Sequence, residues 1–160
     1  MRSEILEFNE SGNPTAVFMK IKKFEFSIDG YFRDSYSLKY KKGVFEYRAN
    51  VADIKITNIN PVIKNNYHFE NVAIFQTDSF DEDLVISEER INNFYKYISK
   101  YCKSWETEYQ NYEVCDGVGW ECNIWIDDFK LVSQGYAAYP SNFKSFINKL
   151  KVLTSGKIFK

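Results

Sequence analysis

At 160 residues the chain has the size of one domain, long enough to bury roughly two-thirds of its unfolded surface in a single core. Apolar residues at 44% and charged residues at 27% exclude a mainly disordered chain, and a formal charge of −1 with a pI of about 5.9 disfavours a nucleic-acid domain. Aromatic residues are in excess, with 14 Phe, 12 Tyr and 3 Trp, and these large strand-favouring side chains predict a substantial sheet.

The N-terminal residues Met1 to Phe8 hold no apolar run of signal-peptide length, and no segment approaches about 18 consecutive apolar residues. A cytoplasmic protein without a membrane span is the expectation. From Val17 to Ile28 the apolar alternation changes phase, odd positions (Val17, Met19, Ile21) giving way to even ones (Phe24, Phe26, Ile28) at the pair Lys22-Lys23. A one-residue slip exchanges the two faces of a strand, so a β-bulge or bend is expected there. Tyr36, Leu38 and Tyr40 alternate with polar residues, Lys42-Gly43 supplies a turn and Val44 to Arg48 returns, which predicts a hairpin. Further strands are expected at Ala52 to Ile59 and Asn71 to Gln76.

Ser87 is a good N-cap, and Glu88 and Glu89 suit the positive end of a helix dipole. Ile91, Phe94, Tyr95, Ile98, Tyr101, Cys102, Trp105 and Tyr109 follow at steps of three and four, predicting one long helix with Asn92, Asn93, Lys96, Lys100 and Lys103 facing water. Trp120, Cys122, Ile124 and Ile126 then alternate as a half-buried strand, Asp127-Asp128 turns, and Phe129 to Ser133 returns. Tyr139-Pro140 blocks further pairing, and Ser141 can cap a final helix carrying Phe143, Phe146, Ile147 and Leu150. The expected architecture is a single α+β domain over residues 1–160, a mostly antiparallel sheet packed against one long helix and a C-terminal helix.

Charge is distributed unevenly. Residues 1–75 carry a net +2, residues 76–128 a net −9 and residues 129–160 a net +6. Such blocks predict a bipolar molecule, with consequences for partners and association rates.

From Trp105 onward the chain carries Trp105 and Tyr109 at W-x-x-x-Y spacing, Asp116-Gly117-Val118-Gly119-Trp120, and Gly135-Tyr136-Ala137-Ala138-Tyr139-Pro140 before Phe143 and Phe146. In these elements the last third of the chain resembles a group of uncharacterised bacterial small proteins with the pattern W-x-x-x-Y, D-G-x-x-W, G-x-N-A-Y-P. The resemblance implies a shared fold rather than an activity. Ala137 replaces the asparagine of that pattern, so any ligand contact made by its amide is lost here.

Groups for chemistry are sparse. The one histidine, His68, sits in a polar stretch and reads as solvated. Cys102, Cys115 and Cys122 are an odd number without CxxC spacing, which excludes a full disulfide framework and disfavours zinc; reduced, mostly buried thiols are expected. The acidic run Asp78, Asp81, Glu82 and Asp83 lacks the glycine and terminal glutamate of an EF-hand loop. It reads first as a solvated helix entry and second as a docking surface for a basic partner. Asp116 beside Gly117 reads first as a turn residue and second as a ligand grip. Trp125 shares its strand face with Glu121, Asn123 and Asp127 and is expected to be half exposed, a candidate contact residue. Tyr139 and Ala137 complete the candidate binding set.

No dinucleotide or P-loop signature occurs. The leading expectation is therefore a non-enzymatic protein-binding module of bacterial or phage origin, an immunity or inhibitor protein that blocks a toxin or effector. Its partner would be another protein, basic in character, or a second copy, with no cofactor, metal or membrane. One alternative is a small-molecule-binding or enzymatic domain with an aromatic pocket near Asp116 and Trp120. A weaker one is single-strand nucleic-acid binding by the lysines and aromatics between Lys20 and Lys42.

Overall fold

A computed structural model describes residues 5–8, 14–17, 19–30, 34–58 and 71–159, with side chains described within 19–30, 34–51 and 79–159. Strands β1 (Ile5–Phe8) and β2 (Pro14–Val17) pair antiparallel as a separate two-stranded sheet. The main sheet has seven strands: β3 (Ile21–Gly30), β4 (Ser35–Lys41), β5 (Val44–Asn58), β6 (Asn71–Leu84), β7 (Glu108–Gln110), β8 (Val118–Ile126) and β9 (Phe129–Tyr136). They lie in the order β6-β5-β4-β3-β8-β9-β7, and among the described strands β7 with β9 is the one parallel pair. The described residues also form two helices, α1 (Glu88–Tyr101) and α2 (Phe143–Leu153).

Alternation decides which face is covered. Phe24, Phe26 and Ile28 of β3, Tyr36 and Leu38 of β4, Phe45 and Tyr47 of β5, and Trp120 to Ile126 at even positions of β8 are all buried. Both helices lie on that face: Phe24 meets Phe94 of α1 at 5.6 Å between ring centroids, and Phe26 meets Phe146 of α2 at 5.4 Å. Burying each such side chain contributes about 1.5–3 kcal/mol, so the buried aromatics supply much of what holds this core together. The chain returns to it at the end, where Phe159 packs on Tyr47 and Phe26 and the Tyr47 hydroxyl donates to the Ile158 carbonyl at 2.8 Å. The opposite face carries Glu25, Ser27, Lys39, Arg48, Glu121 and Lys130, none of them buried.

The phase change at Lys22-Lys23 is a bulge, with Ile21 opposite Ile126 and Lys23 opposite Trp125. Ser87 caps α1, its hydroxyl accepting from the Arg90 N–H at 3.3 Å. The single long helix is not what forms. α1 is 14 residues and ends at Tyr101, whereas Tyr109 lies in β7. Trp105 and Tyr109 kept the helical spacing because both pack on Trp120, at 5.7 and 6.0 Å, from a non-helical connection and a short strand. Asn92 is buried at 4% exposure rather than facing water. The strands before α1 are also longer than expected: β5 runs unbroken from Val44 and β6 continues to Leu84, which puts the acidic run on a strand instead of a helix entry. Finally, Asn142 rather than Ser141 precedes α2, and its side chain makes no cap hydrogen bond. Its amide instead accepts from the Trp105 indole at 2.7 Å and donates to the Tyr101 carbonyl at 2.9 Å, tying α2 to the end of α1.

Candidate functional site

The candidate residues fall in three places. The first is the outer edge of β6. Among the described residues no strand pairs with β6 on the side away from β5, so alternate residues direct backbone N–H and C=O groups outward. Asp81 lies opposite Arg48, Glu82 opposite Tyr47 and Asp83 opposite Glu46. Arg48 Nε reaches Glu46 Oε1 at 2.5 Å and Asp81 Oδ1 at 3.4 Å, and Lys157 Nζ pairs with Glu82. Asp83 has a carboxylate, Glu46, directly across the ladder, an arrangement that costs stability. Phe80, on the helix-side face of the same strand, is 56% exposed. The side chain of Asp78 lies outside the described residues, as does His68 altogether. The Lys157–Glu82 contact also brings the basic tail onto the acidic segment, so the charge blocks along the chain are not cleanly separated in space.

The second place is the middle of the open face. Trp125 is half-buried between two lysines, with Lys130 Nζ 4.1 Å and Lys22 Nζ 5.2 Å from its ring centroid. The bulge supplies Lys22 and the β8–β9 register supplies Lys130, so cations cover the indole by cation–π contact. Four strand spacings, roughly 19 Å, separate β8 from β6.

At the third place the turn at Asp116-Gly117 meets the chain at Tyr136-Ala137, two residues before Tyr139. Asp116 turns with φ 57° and Ala137 with φ 50°, both left-handed. The Tyr136 hydroxyl accepts from the Gly117 N–H at 2.8 Å, the Ala137 N–H donates to the Val118 carbonyl at 2.9 Å, and a Cβ at Gly117 would stand 2.7 Å from that of Ala137. Tyr139 stacks on Trp120 at 6.5 Å and packs on Phe143 at 4.9 Å. Trp120 itself is 2% exposed, and its indole N–H donates to the Ala138 carbonyl at 2.9 Å. Ala137 thus holds a left-handed conformation that asparagine adopts more readily than alanine does. A polar recess of about 330 Å³ reaches Trp120 between Ser27, Asp29, Gln110, Glu121 and Gln134, and Asp116 is not part of its lining. On the far side of Tyr139 an open apolar groove of about 430 Å³ runs along Pro140, Phe143, Ile147, Ile28 and Phe159.

Of the thiols, Cys102 and Cys122 are buried and Cys115 is exposed. Burial pushes Cys102 up to about 12 and raises Cys122 well above the usual thiol value. Among the described residues no group of three or more His, Cys, Asp or Glu side chains could hold a metal ion, and no helix is long and apolar enough to cross a membrane.

Comparison of the chain with protein families, with curated proteins and with solved structures gives no match. Sequence reasoning missed Arg48, Lys157 and Lys130 as neighbours of the candidate residues, because those contacts depend on strand register and on the path of the C-terminal tail. The lysine cover of Trp125 had a signal in the bulge at Lys22-Lys23.

Proposed function

We propose that this chain is a non-enzymatic protein-binding module, an immunity or inhibitor protein of bacterial or phage origin, and that it holds a basic, extended segment of a toxin or effector along the outer edge of β6. The observation that carries the reading is the acidic row Asp81, Glu82 and Asp83 on a strand whose outer side pairs with no other described strand. Strand addition satisfies the backbone groups on that side, and side chains of alternating direction then set specificity.

Charge selects between partners. A second copy added antiparallel at this edge would oppose one acidic row to another, and like-charge juxtaposition across an interface is costly, so the edge favours a basic partner over self-association. Facing carboxylates at Asp83 and Glu46 fit the same reading, because a cation from a partner relieves the repulsion. The Arg48 and Lys157 contacts are exposed ion pairs of small individual worth, and an incoming basic group can exchange with them at little cost. Capture from the native host, followed by mass spectrometry, tests the proposal. A stoichiometric basic protein is the expected result, and recovery of no macromolecular partner, a second copy included, refutes it.

A further inference from the structure

A cavity of about 270 Å³ lies where the first turn of α1 meets β3 and the β4–β5 turn, and none of the candidate residues above lines it. Its walls are apolar on one side, with Ile86 and Ile91 beside an aromatic pair, Tyr40 and Phe45, whose ring centroids are 5.1 Å apart at 59°. Two polar groups line it from successive turns of α1, the Glu88 carboxylate and the Asn92 amide. Asn92 is only 4% exposed, and its side chain makes no hydrogen bond with any described residue. An asparagine amide carries two N–H donors and an acceptor oxygen, and a side chain buried at a core position of a helix is expected to have them matched.

We infer that this cavity is a binding site for a small neutral molecule, a single ring bearing a carboxamide-type edge that pairs donor to acceptor with Asn92. The volume falls just under the usual range for ligand pockets, which limits the occupant to about one ring with a short substituent. Tyr40 and Phe45 supply the surface against which a flat ring packs. Asn92 also sets the preference for a neutral ligand: a carboxylate of the same shape has no N–H to give the amide oxygen and so matches only half of the amide edge. The site is independent of the β6 edge, so either assignment can fail without the other.

Benzamide is the probe, titrated into the full chain and followed by the NMR shifts of the Asn92 side-chain amide and by calorimetry. Saturable binding is expected, with benzoate binding at least about tenfold more weakly, as fits a site that matches both the donor and the acceptor of an amide. Asn92→Leu keeps the volume of the side chain and removes its polar edge, so benzamide affinity should fall at least about tenfold. Ile91→Phe, which leaves Asn92 in place and fills the cavity from its apolar side, should abolish binding in a chain whose circular dichroism is unchanged. Absence of saturable binding to the wild-type chain at the solubility limit of benzamide would overturn the assignment. So would equal affinity of Asn92→Leu, or benzamide shifts that survive Ile91→Phe.

Discussion

Gly135 sits where β9 passes under Trp120, and alanine there should be among the most damaging single-methyl changes in the chain. A Cβ at this position would lie 2.3 Å from Trp120 Nε1, 2.6 Å from Trp120 Cε2 and 2.6 Å from the Ala138 carbonyl oxygen. None of the three can retreat freely. Trp120 is 2% exposed and packed by Trp105 and Phe143, and Nε1 and the Ala138 oxygen are the two ends of one 2.9 Å hydrogen bond. Overpacking of a core costs about 1–3 kcal/mol, and parting a buried donor from its acceptor costs roughly 1–3 kcal/mol more. Gly135→Ala should therefore lose about 3 kcal/mol, measured as the shift in urea midpoint at constant slope. The clash is shared with the indole, so the loss should shrink by at least about 1 kcal/mol in a Trp120→Phe background, a double-mutant cycle that isolates the pair. A loss below about 1 kcal/mol, or strict additivity of the two changes, would refute the steric argument.

Ala137 holds φ 50°, and an L-residue other than Asn or Asp pays roughly 1–2 kcal/mol there, so Ala137→Asn should raise stability by about 1 kcal/mol in the same denaturation assay. Native protein treated with a chromogenic disulfide reagent at neutral pH should show one fast thiol, Cys115, with Cys102 and Cys122 reacting only at the rate of unfolding. Burial, and then the hydrogen bond donated to Asp34 at 2.9 Å, raise Tyr36 to about 12 from an ordinary value of 10.0. The unfolded chain loses that proton first, so the stability contributed by Tyr36 is complete below pH 10 and declines as pH rises toward 12. Denaturation curves across that window should show the decline, and Tyr36→Phe should flatten it.

Period-two patterning located the sheet well, because burial on one face leaves a regular trace: the β3 bulge follows from a change of phase, and the β4–β5 hairpin and the β8–β9 pair follow from alternation together with the turn residues Lys42-Gly43 and Asp127-Asp128. Helical patterning failed past Tyr101 for a physical reason. Trp105 and Tyr109 are apolar because they face Trp120, and their four-residue spacing mimics a helix whose backbone has already ended at the Cys102 cap. The acidic run was legible as chemistry and not as position. Only the pairing of β5 with β6 turns Asp81, Glu82 and Asp83 into a strand edge, and only the return of the tail brings Lys157 to Glu82. Asn92 was invisible for a related reason, since a polar residue flanked by helix-forming neighbours reads as solvent-facing until the β4–β5 turn and β3 close over it.

The most direct measurement is parallel capture from the native host with the wild-type chain and with a chain carrying Asp81→Lys, Glu82→Lys and Asp83→Lys, each first shown by circular dichroism to be folded. A basic protein retained at stoichiometric level by the wild-type chain, lost by the triple variant and protecting β6 amides from hydrogen exchange, is the predicted result. Equal retention by both chains, or no partner on either, would contradict it.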